Sequence, residues 1–88
     1  MKTAAVIGAS ADQSKWGNKA VRAFQRRGYT VYPVHPREPV IEGLEAFAAI
    51  SAVPVRPEIV SVYLSPPALL PILPVIAERG CDELWLNP

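Results

Sequence analysis

Apolar positions along the chain fall into short uninterrupted runs and longer stretches with helical spacing, and the two alternate. Thr3-Ala4-Ala5-Val6-Ile7 is an uninterrupted run, partly β-branched, that ends at Gly8, and it predicts a buried strand. Ala11 to Trp16 is polar and predicts a loop. From Gly17 to Arg27, the residues Ala20, Val21, Ala23 and Phe24 recur at helical spacing while Lys19, Arg22 and Arg26 fall on the other side, which predicts an amphipathic helix. Arg26 and Arg27 suit the negative end of its dipole, and Gly28 supplies the left-handed stop. Tyr29 to Val34, rich in Val, Tyr and Thr, predicts a second strand that stops at Pro33 to Pro36, where missing amides cannot extend a central ladder. Strand, helix and strand over about thirty residues is a right-handed βαβ unit with parallel neighbouring strands.

The second half repeats the alternation less cleanly. Between Arg37 and Pro57, Val40-Ile41 has the length of a short edge strand and Leu44 to Ile50 reads as a helical turn. Ile59-Val60-Ser61-Val62-Tyr63-Leu64 predicts a third main strand, terminated by Ser65-Pro66-Pro67, with its C-terminal end beside the first turn. Leu69, Leu70, Leu73, Ile76 and Ala77 form an apolar stripe, so a helix is expected from about Ala68 or Leu70 to Arg79, stopped by Gly80. Pro71 and Pro74 place its regular part from Pro71 or Ile72 onward, because proline is costly in a helix interior and cheap in the first turn. Glu83 to Leu86 is a last short strand. The pattern is that of a single Rossmann-like domain over residues 1–88, a three-layer α/β/α fold whose mainly parallel sheet has four main strands and a short edge strand.

Composition narrows this picture. A chain of 88 residues buries only about 60–65% of its extended surface, and a hydrophobic content of 50% suits strands covered on both faces. The apolar runs fall far short of a membrane span, and the start of the chain lacks the apolar core of a signal peptide, so the expected location is cytoplasmic, away from any membrane. One cysteine and one histidine leave no disulfide framework and no zinc cluster. Charge divides the chain: seven cations to one acid through Arg37, then two cations to seven acids from Glu38 onward. The positive field therefore surrounds the turn after the first strand, where it would concentrate an anionic ligand. With a net charge of +1 and no surface aromatics expected to interleave the cations, nucleic acid is not an expected partner.

The candidate chemistry sits at that turn. A strand ending in Gly8-Ala9-Ser10, followed by a loop and a helix, is how a parallel strand delivers a phosphate to a helix N-terminus. Gly8 and Ser10 would line the phosphate, and Trp16 suggests a staple for the start of the helix. The dinucleotide fingerprint itself is missing: there is no G-x-G-x-x-G, and the second strand ends Pro33-Val34-His35-Pro36-Arg37 with no acid for a ribose diol until Glu38. That end suits a phosphate. His35 has no nucleophile or carboxylate partner in sequence, Cys81 is flanked by Asp82 and Glu83, and no catalytic set is expected.

Four segments then resemble a known family: Val6-Ile7-Gly8-Ala9-Ser10; Gly28 through Pro36; Tyr63-Leu64-Ser65-Pro66-Pro67; and Leu84-Trp85-Leu86-Asn87-Pro88. In this order they are similar to the small CoA-binding, Rossmann-like proteins related to the N-terminal domain of the succinyl-CoA synthetase α subunit. The resemblance implies CoA or an acyl-CoA bound across the C-terminal ends of the strands. Gly8, Ala9, Ser10 and the Lys15-Trp16-Gly17-Asn18 segment would hold the pyrophosphate. Val34, His35, Pro36 and Arg37 would flank the adenosine and its 3′-phosphate, and Leu64, Ser65 and Pro66 would border the adenine or the start of the pantetheine arm. Members of that family commonly continue past the last strand into another helix and strand, so the chain is expected to lack them. The synthetase's active-site histidine lies outside the resembling region, and His35 does not inherit its role.

The leading expectation is a CoA-binding module without chemistry of its own. A second reading is an NADP-binding fragment of an oxidoreductase, with Arg37 on the 2′-phosphate, and a third is an interaction domain whose open sheet edge pairs with another copy.

Overall fold

The computed structural model describes residues 2–87; Met1, and Pro88 at the end of the last resembling segment, lie outside the described residues. The main sheet has four parallel strands in the order β2-β1-β5-β6: β1 (Thr3–Ile7), β2 (Thr30–Val34), β5 (Ile59–Val62) and β6 (Glu83–Leu86). The intervening β3 (Val40–Ile41) and β4 (Leu44–Glu45) form a separate antiparallel hairpin.

Every residue of β1 is buried, as expected of a central parallel strand covered on both faces. Its alternation divides the core in two. Ala4 and Val6 face Ala20, Val21 and Phe24 of α1 (Trp16–Arg26), while Ala5 and Ile7 face Ile50, Val53 and Ile76 on the opposite side. Each fully buried Val or Ile contributes roughly 1.5–3 kcal/mol, so β1 is the element both layers depend on. The Rossmann-like three-layer architecture and the four main strands are as the pattern predicts.

Two readings change in the middle of the chain. The strand reading of Val40-Ile41 holds, but its partner is β4 of the hairpin, so it is no edge of the main sheet. The helical turn expected over 44–50 does not form. Leu44-Glu45 pairs back on β3, Phe47 bridges Val34, and a 3₁₀ turn covers only Ile50–Ala52. The reason lies in Glu42-Gly43, which reverses the chain and commits the following residues to extended pairing.

The prolines also behave differently from expectation. Pro33 lies inside β2, whose place at the edge of the sheet makes this cheap. Its carbonyl accepts the Phe47 amide at 2.8 Å on the open side, so the N–H it lacks would have pointed away from β1. Pro66 and Pro67 do not merely end a strand; they open a short helix, α2 (Pro66–Leu69), because the first helical turn needs no amide donors. The stripe predicted as one helix is α2, a 3₁₀ turn at Leu70–Ile72 and α3 (Leu73–Arg79), the breaks coinciding with Pro71 and Pro74. Gly80, at φ +81°, stops α3 as expected.

Among the described residues no helix is long and apolar enough to cross a membrane, and no cluster of His, Cys, Asp and Glu could hold a metal ion.

Candidate ligand-binding cleft

From β1 the chain steps outward to β2 and then returns across to β5 on the other side, so the C-terminal ends of β1 and β5 meet at a topological switch point. Gly8 leaves β1 there at φ +84° and donates its N–H to the Val34 carbonyl at 3.2 Å. A Cβ on Gly8 would collide with the Tyr63 carbonyl oxygen, and a Cβ on Gly17 would collide with the Gly8 carbonyl oxygen. These two glycines let the start of α1 descend onto the end of β1, backbone against backbone.

The loop that joins them is bonded to itself. The Ser10 hydroxyl oxygen accepts the Asp12 amide at 3.0 Å, which leaves its own proton available to donate. Asp12 accepts the hydroxyl of Ser14 at 2.7 Å and its amide at 2.9 Å, and these bonds hold the Asp12 carboxyl below its ordinary range. Lys15 caps α1 without a side-chain hydrogen bond, and the first turn carries no acid. The leading amides of α1 therefore have no side-chain acceptor, at the positive end of the helix dipole.

Two lobes open from this point, of about 640 and 990 Å³, sharing Gly8, Lys15, Tyr63 and Leu64. The first runs toward β2 and His35 and is walled by the 48–51 segment; the second runs toward Pro66, Leu86 and Asn87. Among the described residues, neither lobe has a carboxylate in its lining. At the rim of the first, the His35 amide donates to the Phe47 carbonyl at 2.9 Å. The His35 Nδ1 accepts the amides of Arg37 at 3.0 Å and Glu38 at 2.9 Å.

A family model described as a CoA binding domain matches residues 2–88. The chain belongs to the family of CoA binding domains. Solved structures share its fold. A conserved hypothetical protein from Pyrococcus furiosus superposes with a TM-score of 0.90 at 27% identity, over 100% of this chain and 76% of that one. Prb, a protein redesigned for binding, gives a TM-score of 0.86 at 24% identity, over 97% of this chain and 59% of its own. A hypothetical protein from Pyrococcus horikoshii gives 0.75 at 19%, over 98% of this chain and 75% of its own. No curated protein matches the chain.

In this CoA binding domain the structure brings together most of the residues singled out from sequence. Gly8, Ala9, Ser10, Lys15, Val34, His35, Pro36 and Leu64 border the first lobe; Trp16, Gly17, Ser65 and Pro66 border the second. Asn18 and Arg37 line neither. Asn18 is fully buried, its amide nitrogen bonded to the Ser10 carbonyl at 2.8 Å and to Glu42 at 3.0 Å, so it supports the turn from behind. Arg37 is exposed on the loop beyond His35.

Trp16 does not staple the helix. It is 69% exposed at the second lobe, with the Lys19 ammonium 4.4 Å from its ring centroid. Sequence reasoning missed the 48–51 wall, whose mostly small residues carry no chemical signal, and Glu42, whose signal was the Glu42-Gly43 pair between Val40-Ile41 and Leu44.

Proposed function

We propose that the domain binds CoA or an acyl-CoA across the C-terminal ends of β1, β2 and β5 and performs no chemistry of its own. The observation that carries this reading is the glycine-walled turn at the switch point: α1 starts without a side-chain cap, Ser10 lines the first lobe, Lys15 lines both, and no described carboxylate lines either. A pyrophosphate would sit at Gly8, Ala9, Ser10 and Lys15. The adenosine would extend along Val34, His35 and Pro36, with Arg37 outside the lobe for a phosphate that projects from it. The pantetheine arm would follow Leu64, Ser65, Pro66 and Trp16 into the second lobe.

Absence of catalysis is part of the proposal. The Ser10 hydroxyl is bonded to a backbone amide and not to an imidazole, and the Cys81 thiol, which lines neither lobe, is pushed up by burial. Calorimetric titration with CoA, dephospho-CoA and NADP⁺ tests the ligand: CoA is expected to bind most tightly, and equal or tighter NADP⁺ binding overturns the reading. Incubation with acetyl-CoA and a longer acyl-CoA tests the second half, with intact thioesters expected.

A further inference from the structure

The β3–β4 hairpin closes through Glu42 and Gly43, both at positive φ, +50° and +75°. A two-residue loop of this kind favours Asn, Asp or Gly at its first position, because the left-handed region crowds other side chains. Glu42 is the one non-glycine residue at positive φ among the described residues. Strain of this sort persists where surrounding contacts over-determine it.

Those contacts lead away from the hairpin to the ligand turn. Glu42 Oε2 accepts Asn18 Nδ2 at 3.0 Å and Gln13 Nε2 at 3.2 Å, and the Glu42 carbonyl is 3.4 Å from Gln25 Nε2. The same Asn18 amide donates to the Ser10 carbonyl at 2.8 Å, while its oxygen accepts Arg22 Nε at 2.7 Å. Arg22 in turn donates to the Gln13 carbonyl at 3.0 Å. One carboxylate on a strained hairpin tip thus reaches both ends of the 10–13 segment, once through a buried side chain and once directly. Asparagine or glycine at this position would relax the backbone and reach neither partner.

We propose that Glu42 is a positioning residue for the phosphate turn. It lines neither lobe. It keeps the loop in the shape that aims the Ser10 hydroxyl, Lys15 and the first amides of α1 at one anion, and the hairpin tolerates the backbone strain in exchange for that order. The proposal rests on the anion-binding reading given above, but its structural half is testable without ligand.

Three proteins decide it: the wild type, E42N and E42Q, each as the full chain. Amide hydrogen exchange over residues 9–14, the thermal midpoint, and CoA affinity at fixed ionic strength are measured for each. In E42N relief of the backbone strain offsets the lost bonds and the midpoint moves little, while the turn amides exchange about ten-fold faster and CoA binds about ten-fold more weakly, the scale of one lost charge-assisted hydrogen bond. In E42Q an amide oxygen can replace the carboxylate oxygen, and most of the protection and affinity returns. Unchanged exchange over 9–14 in E42N overturns the proposal, as does faster exchange accompanied by a lower midpoint across the whole chain. If the wild type fails to bind CoA, the reading of function falls, while the exchange data still decide the role of Glu42.

Discussion

Two junctions occupy equivalent places in the fold, each carrying the chain from the C-terminal end of a parallel strand into a helix. At the β1–α1 junction, glycines and small polar residues expose backbone amides, and a longer loop is bonded to itself and to the hairpin. At the β5–α2 junction, Ser65-Pro66-Pro67 starts the helix on two residues that have no amide to offer, and Leu64 and Leu69 border the opening. Topology alone does not make an anion site. The first junction presents donors and a cation; the second presents apolar surface. A ligand with a charged middle and a less polar arm is matched by the pair of them.

The sharpest break of this contrast is Gly8→Ala. Both the positive φ and the collision with the Tyr63 carbonyl oppose a Cβ, so a loss of about 3 kcal/mol in urea denaturation is expected, along with CoA binding. Next come Lys15→Ala and Leu64→Ala, compared over a salt series. Lys15→Ala is expected to weaken CoA binding about ten-fold and to flatten its salt dependence. Leu64→Ala is expected to weaken it about three-fold with the salt dependence kept, since the lost contact is apolar. Equal salt slopes in the two variants would erase the distinction between the junctions.

Acid sharpens the comparison further. Hydrogen bonds from Asn18 and then Gln13, with Arg22 nearby, hold the Glu42 carboxyl below its ordinary value of 4.5. A carboxyl lowered on folding contributes stability that is present above its unfolded value and lost as pH falls through its folded one. Thermal midpoints of the wild type are therefore expected to hold above about pH 5 and to decline in more acidic buffer. E42Q should show a shallower decline, the remainder reflecting Asp12, which is lowered in the same direction by its bonds to Ser14. The smallest effect is expected at the second junction. Ser65 precedes α2 without a side-chain capping bond, so Ser65→Ala should change stability by less than about 0.5 kcal/mol in the same denaturation assay.

The βαβ unit was legible because β1, α1 and β2 are each specified locally: an unbroken apolar run, an amphipathic period, and glycines between the elements. The turn at Gly8 was legible for the same reason. The 38–53 segment was not, because its structure is settled by distant partners, Phe47 on Val34 and Glu42 on Asn18. Gly17 illustrates the limit of motif reading. The missing fingerprint glycines suggested a departure from dinucleotide folds, yet Gly17 packs directly on the Gly8 carbonyl after a longer loop, meeting the same steric need from a different spacing. Asn18 shows the converse, since a polar residue at the right place in sequence turned out to face inward.

The two backbone amides aimed at the His35 Nδ1 have one more consequence. Both share its single in-plane lone pair, so the neutral ring carries its proton on Nε2 and is held in one tautomer. The neutral ring can then give a hydrogen bond through Nε2 and cannot take one. A group that hydrogen-bonds to this ring must therefore bring an acceptor: a phosphate oxygen, a ring nitrogen or a carbonyl meets the requirement, whereas an ammonium does not.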